Sequence, residues 1–418
     1  MKTEELYKIY KSTPKIHTDT RKIKEPGIFF ALKGEHFNGN KFAERAINNG
    51  CNLAIIDEEK YDNNEKFILV ENTLKTLQDL AEYHRSKLSI PIIGITGTNG
   101  KTTSKELIHC VLKSELNCYS TKGNMNNHIG VPLSILEINN EHEIAVIEMG
   151  ANHEKEIEFL CYITKPTHGV ITNIGSAHLE GFKTLEGIIN TKNELYTFIK
   201  KNNGSLFIND DDNLLINLAK NIRTNSYGLS SSLNITIKKD TPFLNVKWED
   251  RIIKSQLIGE YQYYNISLAI CIGNYFNISK SNIQSSIESF IPQNNRSEIK
   301  KTSKNIIIMD AYNANPSSMK AMLYSFAKQD YDNKLCILGD MLELGDYSNK
   351  EHANILKLCD SLQLESLFVG KEFHKLNNES FKDTSALEEH IKTNPIKNKT
   401  ILLKGSRGIH LEELINSL

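Results

Sequence analysis

The segment "GITGTNGKTTSKEL" (94–107) constrains the chain most. Pro91-Ile92-Ile93-Gly94-Ile95-Thr96 ahead of it is apolar and β-branched, as a short buried strand is. Glycines follow at 94, 97 and 100, and Lys101-Thr102-Thr103 leads into Glu106-Leu107-Ile108, a predicted helix. Strand, glycine loop, Lys-Thr and helix is the order of a phosphate-binding loop. The strict GxxxxGK[ST] spacing would need glycine at 95, where Ile95 stands, so the loop is GxxGxxGKT. Gly97 and Gly100 still let the amides of Thr98, Asn99 and their neighbours converge on a phosphate, and the helix start adds positive potential. Lys101 then reaches the β- and γ-phosphates and the Thr102 hydroxyl a Mg²⁺ ion, with Thr103 in the same turn. The alternative is a structural strand-to-helix turn.

At 418 residues, the chain exceeds one typical core, and two or three domains are expected. Hydrophobic residues at 39% with 24% charged residues describe a soluble globular protein. A net charge of −1 gives no reason to expect nucleic acid or an anionic membrane as partner. The seven cysteines are scattered without a CxxC pair, which speaks against a disulfide framework or zinc site and for a reducing cytosol. The start lacks a signal-peptide core, and no run approaches the roughly 20 apolar residues of a membrane span. Cytoplasmic location follows as an expectation.

Three segments emerge. Residues 1–88 form a small α/β unit, with strands in 27–32, 52–57 and 67–71 and helices in 41–50 and 73–88. Ser89-Ile90-Pro91 breaks the pattern, and 89–294 continues as alternating strands and helices, the mark of a parallel sheet. After "FIPQNNRSE", residues 295–418 repeat this with strands in "NIIIMD", "KLCILGD", "SLFVG" and "TILLKGS". The expected class is α/β in three α/β domains, a central P-loop parallel-sheet domain with a Rossmann-like domain after it.

Ligands of open parallel sheets bind where strands deliver their C-terminal ends. Glu148, closing "EIAVIE", is placed there to serve a metal; a solvated acid at a strand end is the plainer account. Asn173 and His178 in "NIGSAHLEGF" share that address, although a lone histidine is more often packed or exposed. By spacing alone, Lys192 in "GIINTKNELY" reads as a surface lysine.

"GTNGKTT", "TKGNMNNHIGVPLSIL" (121–136), "IEMGANHEKEI" (147–157) and "NIGSAHLEGF" together resemble the Mur ligases of peptidoglycan synthesis. "DAYNANPSSM" (310–319), "LGDMLELG" (338–345) and "KGSRG" (404–408) narrow the likeness to the branch that attaches a dipeptide. "DTRKIKEPGIFFALKGEHFNGNKF" (19–42) is similar to the family's UDP-sugar domain, so the likeness runs through the whole chain in order. It implies that Gly97 to Thr103 bind ATP and that Thr102 and Glu148 hold one Mg²⁺. It further implies that His178 and Lys192 hold a second, Lys192 after carbamylation by CO₂. The reason is chemical: an ammonium cannot ligate Mg²⁺, whereas a carbamate offers hard anionic oxygens. Asn265 matches a residue near adenine; Arg296 and Asp310 match C-terminal residues that approach ATP when domains close. Thr20, Arg21, Lys33 and Gly34 match the patch for the uridine end. Asn126, Asn127, Tyr312, Asn313 and Asn315 fall in matching substrate motifs. Where the family often reads G-x-H-N-x-x-N, this chain has Gly259, Tyr261, Gln262 and Asn265; Thr20 stands where serine is usual.

The implied reaction joins D-alanyl-D-alanine to UDP-N-acetylmuramoyl-tripeptide, ATP going to ADP and phosphate through an acyl phosphate, in a monomer. Rival expectations are the ligase adding the third amino acid, which would carry a DNPR-like loop in place of "LGDMLELG", and a folate polyglutamate ligase, which lacks a full domain ahead of the P-loop. Outside the class stand a phosphotransferase or nucleotide switch, which needs no amine to turn over, and a regulatory ATP binder, which needs no second metal site.

Overall fold

The computed structural model describes residues 1–176, 179–239, 242–293 and 295–418. Its N-terminal sheet is parallel, with β1 (Ile16–His17), β2 (Ile28–Phe30), β3 (Leu53–Ile56) and β4 (Phe67–Leu69) in that order. Helix α1 (Thr3–Ser12) and helix α2 (Thr73–Arg85) pack together; the Asn72 side chain accepts from Lys75 N and starts α2. The helix expected in 41–50 opens as a 3₁₀ turn at Gly39–Phe42 and runs Ala43–Asn48, closed by Gly50 at φ 110°.

The linker Ser89-Ile90-Pro91 is held by one side chain. Buried Arg85 donates to the carbonyls of Thr164, Leu88, Ile90 and Lys165. Leu6, Tyr10, Leu77 and Leu80 share a continuous core with Ile135, Leu136 and Ile138, so the first sheet is packed onto the next body.

That body is a six-stranded parallel sheet. Its strands are β5 (Ile92–Thr96), β6 (Cys118–Ser120), β7 (Ile144–Glu148), β8 (His168–Ile171), β9 (Ser205–Asn209) and β10 (Arg223–Tyr227), in the order β10-β9-β8-β5-β7-β6. β5, β7, β8 and β9 are buried at every residue, which explains their unbroken apolar runs. The chain runs to one side of β5 for β6 and β7 and to the other for β8 to β10, so the order reverses at the end of β5. Helix α3 (Lys101–Leu112) follows β5, and helix α4 (Leu185–Lys201) lies between β8 and β9. Helix α5 (Tyr263–Tyr275) is apolar nearly all round and packs Ile266, Ala269 and Ile270 against Leu107, Ile108 and Val111 of α3. Apolar alternation did not signal the antiparallel sheet of β11 (Ile235–Lys239), β12 (Asn245–Trp248) and β13 (Arg251–Lys254), nor the polar strand β10.

The last sheet has the order β14-β15-β18-β16-β17, from β14 (Glu298–Lys301), β15 (Ile306–Asp310), β16 (Lys334–Gly339), β17 (Ser366–Val369) and β18 (Thr400–Lys404). All pairs are parallel except the antiparallel edge β14. Helix α6 (Pro316–Lys328) follows β15 behind a capping box at Asn315, with Pro316 in its first turn. Among the described residues, no helix is long and apolar enough to cross a membrane.

Candidate active site

β5, β7 and β8 end side by side because Ile95 pairs with Glu148 and Thr96 with Ile171. A cavity of about 1100 Å³ opens at these ends. Thr98, Asn99, Gly100, Lys101, Thr102 and Thr103 line one side of it, with Asn126, Asn127 and Glu148 beside them. Asn265 comes from α5, and Arg296, Asp310, Tyr312, Asn313 and Asn315 come from the C-terminal body. Residues as far apart in the chain as Thr98 and Lys404 thus face one space.

The loop is held in shape from below. Asn173 Oδ1 accepts from Asn99 N at 3.0 Å, and Asn173 O accepts from Thr98 N at 2.9 Å. Thr172 Oγ1 and Asn173 Nδ2 both donate to Asn99 O, at 2.7 and 3.0 Å. Gly97 lies beneath, at φ 144°, where an added Cβ would stand 2.0 Å from Thr172 Oγ1. Gly100, at φ 79°, caps α3, and a Cβ there would meet Asn265 Oδ1 at 2.9 Å. Glycine at both positions is therefore a backbone requirement. Asn265 is itself fixed: Oδ1 accepts from Ser104 Oγ at 2.8 Å, and Nδ2 donates to Gln262 Oε1 at 2.5 Å. Gln262, one of the departures from the family pattern, thus supports the asparagine that is retained.

Lys101 is not the exposed cation that a loop position suggests. Its Nζ donates to Gly97 O at 2.6 Å and Thr98 O at 3.1 Å. Burial pushes its ammonium below the ordinary lysine value; Glu148 opposes this and Arg296 adds to it. Glu148 is buried rather than solvated. Its Oε1 accepts from Asn126 Nδ2 at 2.8 Å, while Oε2 has no hydrogen-bond partner among the described residues. An unpartnered buried carboxylate oxygen lining the same cavity as Thr102 offers, with that hydroxyl, hard oxygen donors of the kind Mg²⁺ takes. Among the described residues, no three His, Cys, Asp or Glu side chains gather at one point, so an ion there would complete its shell with phosphate and water, as Mg²⁺ does.

Lys192 is a correction to the spacing argument. It is 3% exposed on α4, on the buried face with Ile188, Leu195 and Tyr196. Its Nζ lies 5.5 Å from the Phe182 ring centroid, and burial, helped by Lys101, pushes its ammonium down to about 7 against the pull of Glu194 and Glu156. It does not line the cavity wall. His178 lies outside the described residues.

On the C-terminal wall, Lys404 Nζ donates to Asp310 Oδ2 at 2.6 Å, and Lys404 is buried. The Arg296 guanidinium stacks 3.7 Å from the Tyr312 ring centroid. Asn313 Oδ1 accepts from Ala314 N, and Asn127 Oδ1 from Gly130 N. The structure leaves Thr20, Arg21, Lys33 and Gly34 outside this cavity, on the N-terminal body. There Thr20 is buried, Arg21 forks onto Asp19 with two bonds of 2.9 Å, and Lys33 pairs with Asp57 at 3.1 Å.

Sequence reasoning did not single out Lys404, nor Asn209, Asp211 and Asp212 on the far wall. A signal was available in "SLFINDDDN", an apolar run ending in acids like the one that points to Glu148.

Comparison with known proteins gives the family. Residues 95–273 match the Mur ligase middle domain, and residues 295–407 match the Mur ligase, glutamate ligase domain. The chain is 33% identical to the UDP-N-acetylmuramoyl-tripeptide–D-alanyl-D-alanine ligase of Bacillus subtilis (strain 168), over 96% of this chain and 92% of that one. It is 29% identical to the Escherichia coli (strain K12) protein of the same name, over 96% and 93%. A crystal structure of MurF from Acinetobacter baumannii superposes with a TM-score of 0.86 at 29% identity, covering 96% of this chain and 92% of that one. MurF ligase from Thermotoga maritima in complex with ADP gives 0.82 at 26% identity, covering 96% of each. The chain belongs to the Mur ligase family, in the branch of the UDP-N-acetylmuramoyl-tripeptide–D-alanyl-D-alanine ligases.

Proposed function

We infer that this chain is an ATP-dependent ligase that joins D-alanyl-D-alanine to UDP-N-acetylmuramoyl-tripeptide in peptidoglycan synthesis. The observation that carries this is the single cavity walled by a phosphate loop on one side and by Asp310, Tyr312 and Asn313 on the other. A nucleotide switch needs the first wall only.

In this reading, residues 1–88 bind the UDP-sugar through Thr20, Arg21, Lys33 and Gly34, residues 89–294 bind ATP, and residues 295–418 bring the amine. Gly97 to Thr103 cradle the phosphates, and Asn265 and Arg296 hold the nucleotide's other parts. When ATP enters, Lys101 Nζ exchanges the Gly97 and Thr98 carbonyls for phosphate oxygens. A tripeptide carboxylate oxygen attacks the γ-phosphorus and ADP leaves. The dipeptide nitrogen then attacks the acyl carbon, loses its proton, and phosphate departs. Asp310, held through Oδ2 by Lys404, keeps Oδ1 to accept a hydrogen bond from the incoming neutral amine, whose lone pair makes the attack. Asn126, Asn127, Tyr312, Asn313 and Asn315 shape the substrate space.

Two Mg²⁺ ions, one at Thr102 and Glu148 and one at His178 and carbamylated Lys192, would neutralise the repulsion between carboxylate and triphosphate. Lys192 suits that modification, because an amine brought down to about 7 is partly neutral at physiological pH and only the neutral form reacts with CO₂. We place the enzyme in the cytoplasm as a monomer.

The test is ADP release by purified protein supplied with UDP-N-acetylmuramoyl-tripeptides that differ in residue three. Turnover should require the tripeptide, and D-alanyl-D-alanine should far outperform any single amino acid. Equal turnover with a single amino acid such as diaminopimelate would sink the assignment.

A further inference from the structure

The side chain of Asn99, at the crest of the phosphate loop, points to the C-terminal body. Its Nδ2 donates to Ser317 Oγ at 2.8 Å. Ser317 Oγ donates to Asn315 Oδ1 at 2.8 Å, and Asn315 Nδ2 donates to Asn99 Oδ1 at 2.8 Å. The three side chains close a ring in which each gives and takes one hydrogen bond. Two of the three bonds cross between residues 216 and 218 positions apart, from the loop before α3 to the start of α6.

Both ends are anchored independently of the ring. Asn99 has its N–H and carbonyl bound to Asn173 and Thr172. Asn315 Oδ1 also accepts from Ser318 N as the cap of α6, and Ser318 Oγ accepts from Asn315 N. An asparagine on a tight loop could have turned its amide to the cavity. Here both of its hydrogen-bonding atoms are spent on the other body, so the side chain is committed to joining the two walls.

We propose that Asn99, Ser317 and Asn315 are positioning residues, a latch that seats the segment Asp310–Asn315 against the phosphate loop. The ring forms only when the start of α6 stands at one distance and angle from the loop. It therefore ties the place where the amine arrives to the place where the acyl phosphate forms, and a misplacement of about 1 Å in such a pair can cost about 100-fold in rate. This rests on the ligase reading, since it assigns the two walls consecutive steps of one reaction.

The experiment is a double-mutant cycle on the full-length protein across the two bodies, with Asn99→Ala and Ser317→Ala. Each single variant should lower kcat about tenfold, the equivalent of one well-placed hydrogen bond at about 1.4 kcal/mol per factor of ten. The KM for the tripeptide should stay within about twofold, because that ligand's uridine end is held elsewhere. The double variant should lose no more than Asn99→Ala alone, because that change already removes both bonds that cross between the bodies. Ser317→Thr, which keeps the hydroxyl, should recover most of what Ser317→Ala loses. Hydrogen exchange should quicken in residues 310–318 of both alanine variants and stay unchanged in the N-terminal sheet. Losses that multiply in the double variant, or single variants with wild-type kcat, would overturn the latch. A wild-type protein without amine-dependent ADP release would instead overturn the ligase reading, so the two failures are told apart. A variant that misfolds would show itself as faster exchange throughout the chain, and Ser317→Thr against wild type would then decide the matter by the same kcat and exchange criteria.

Discussion

Lys192 shows how far a residue's chemistry depends on what surrounds it. On the surface it would be an ammonium with little consequence; buried on α4 at 3% exposure it is a strained cation whose proton is held weakly. Lys192→Ala should abolish turnover while leaving the fold intact. Millimolar formate or acetate should partly restore the rate, since a small carboxylate supplies oxygens of the charge that the proposed carbamate would carry. Lys192→Arg should remain inactive, because a guanidinium neither takes up CO₂ readily nor accepts a metal. Initial rates with and without the added acid decide it: a fully active Lys192→Ala protein would remove this lysine from the mechanism. In the sequence, only the family resemblance singled this lysine out. Spacing pointed to the surface, because α4 carries Asn190, Asn193 and Glu194 around Lys192, and their polarity masks the one buried polar face.

At the scale of an element, the loop between β5 and α3 was legible almost completely, since its requirements are local. The strand, the two glycines and the lysine lie within ten residues, and the glycines act through backbone geometry alone. Gly97→Ala tests that geometry. A methyl group 2.0 Å from Thr172 Oγ1, at φ 144°, forces the loop off Asn173. The strain costs about 1–3 kcal/mol. Titration calorimetry with ADP should show affinity reduced by about tenfold or more, with the far-ultraviolet circular dichroism unchanged. Wild-type ADP affinity in Gly97→Ala would mean that this loop does not form the phosphate cradle. The neighbouring strands were harder to read: β10 ("RTNSY") is polar and lies at the edge of the sheet, where one side need not be apolar.

The whole molecule is held together by contacts that few sequence patterns announce. Arg85 fastens α2 of the N-terminal body to the carbonyls at the end of the helix Glu156–Thr164 and to the linker itself. Burial lowers its guanidinium to about 10, and Arg85→Ala removes its hydrogen bonds to all four carbonyls. The expected loss is about 3 kcal/mol in urea unfolding. Trp248, the single tryptophan, is buried in β12 and gives an intrinsic fluorescence probe of the central body. Circular dichroism reports all bodies together. In Arg85→Ala the two transitions should separate, the circular dichroism beginning to change at lower urea. Coincident, unshifted transitions would show that the apolar contacts around Leu6, Tyr10 and Leu77 join the bodies without this clamp.

By itself the sequence determined the class of fold, the strand–glycine loop–helix unit at 92–112 and the family, because these rest on short-range periodicity, backbone freedom at glycine and the order of motifs along the chain. Only the tertiary structure decided which polar groups face one another. Asp310 and Lys404 stand 94 positions apart, and Asn99 and Asn315 stand 216 apart, yet each pair is joined by a hydrogen bond. It also decided that Glu148 keeps one oxygen without a hydrogen-bond partner among the described residues and that Lys192 is removed from water. The physical reason is that burial and partnership are properties of a site where several segments meet. Local propensity carries no term for a neighbour that the chain reaches only after a hundred or two hundred residues.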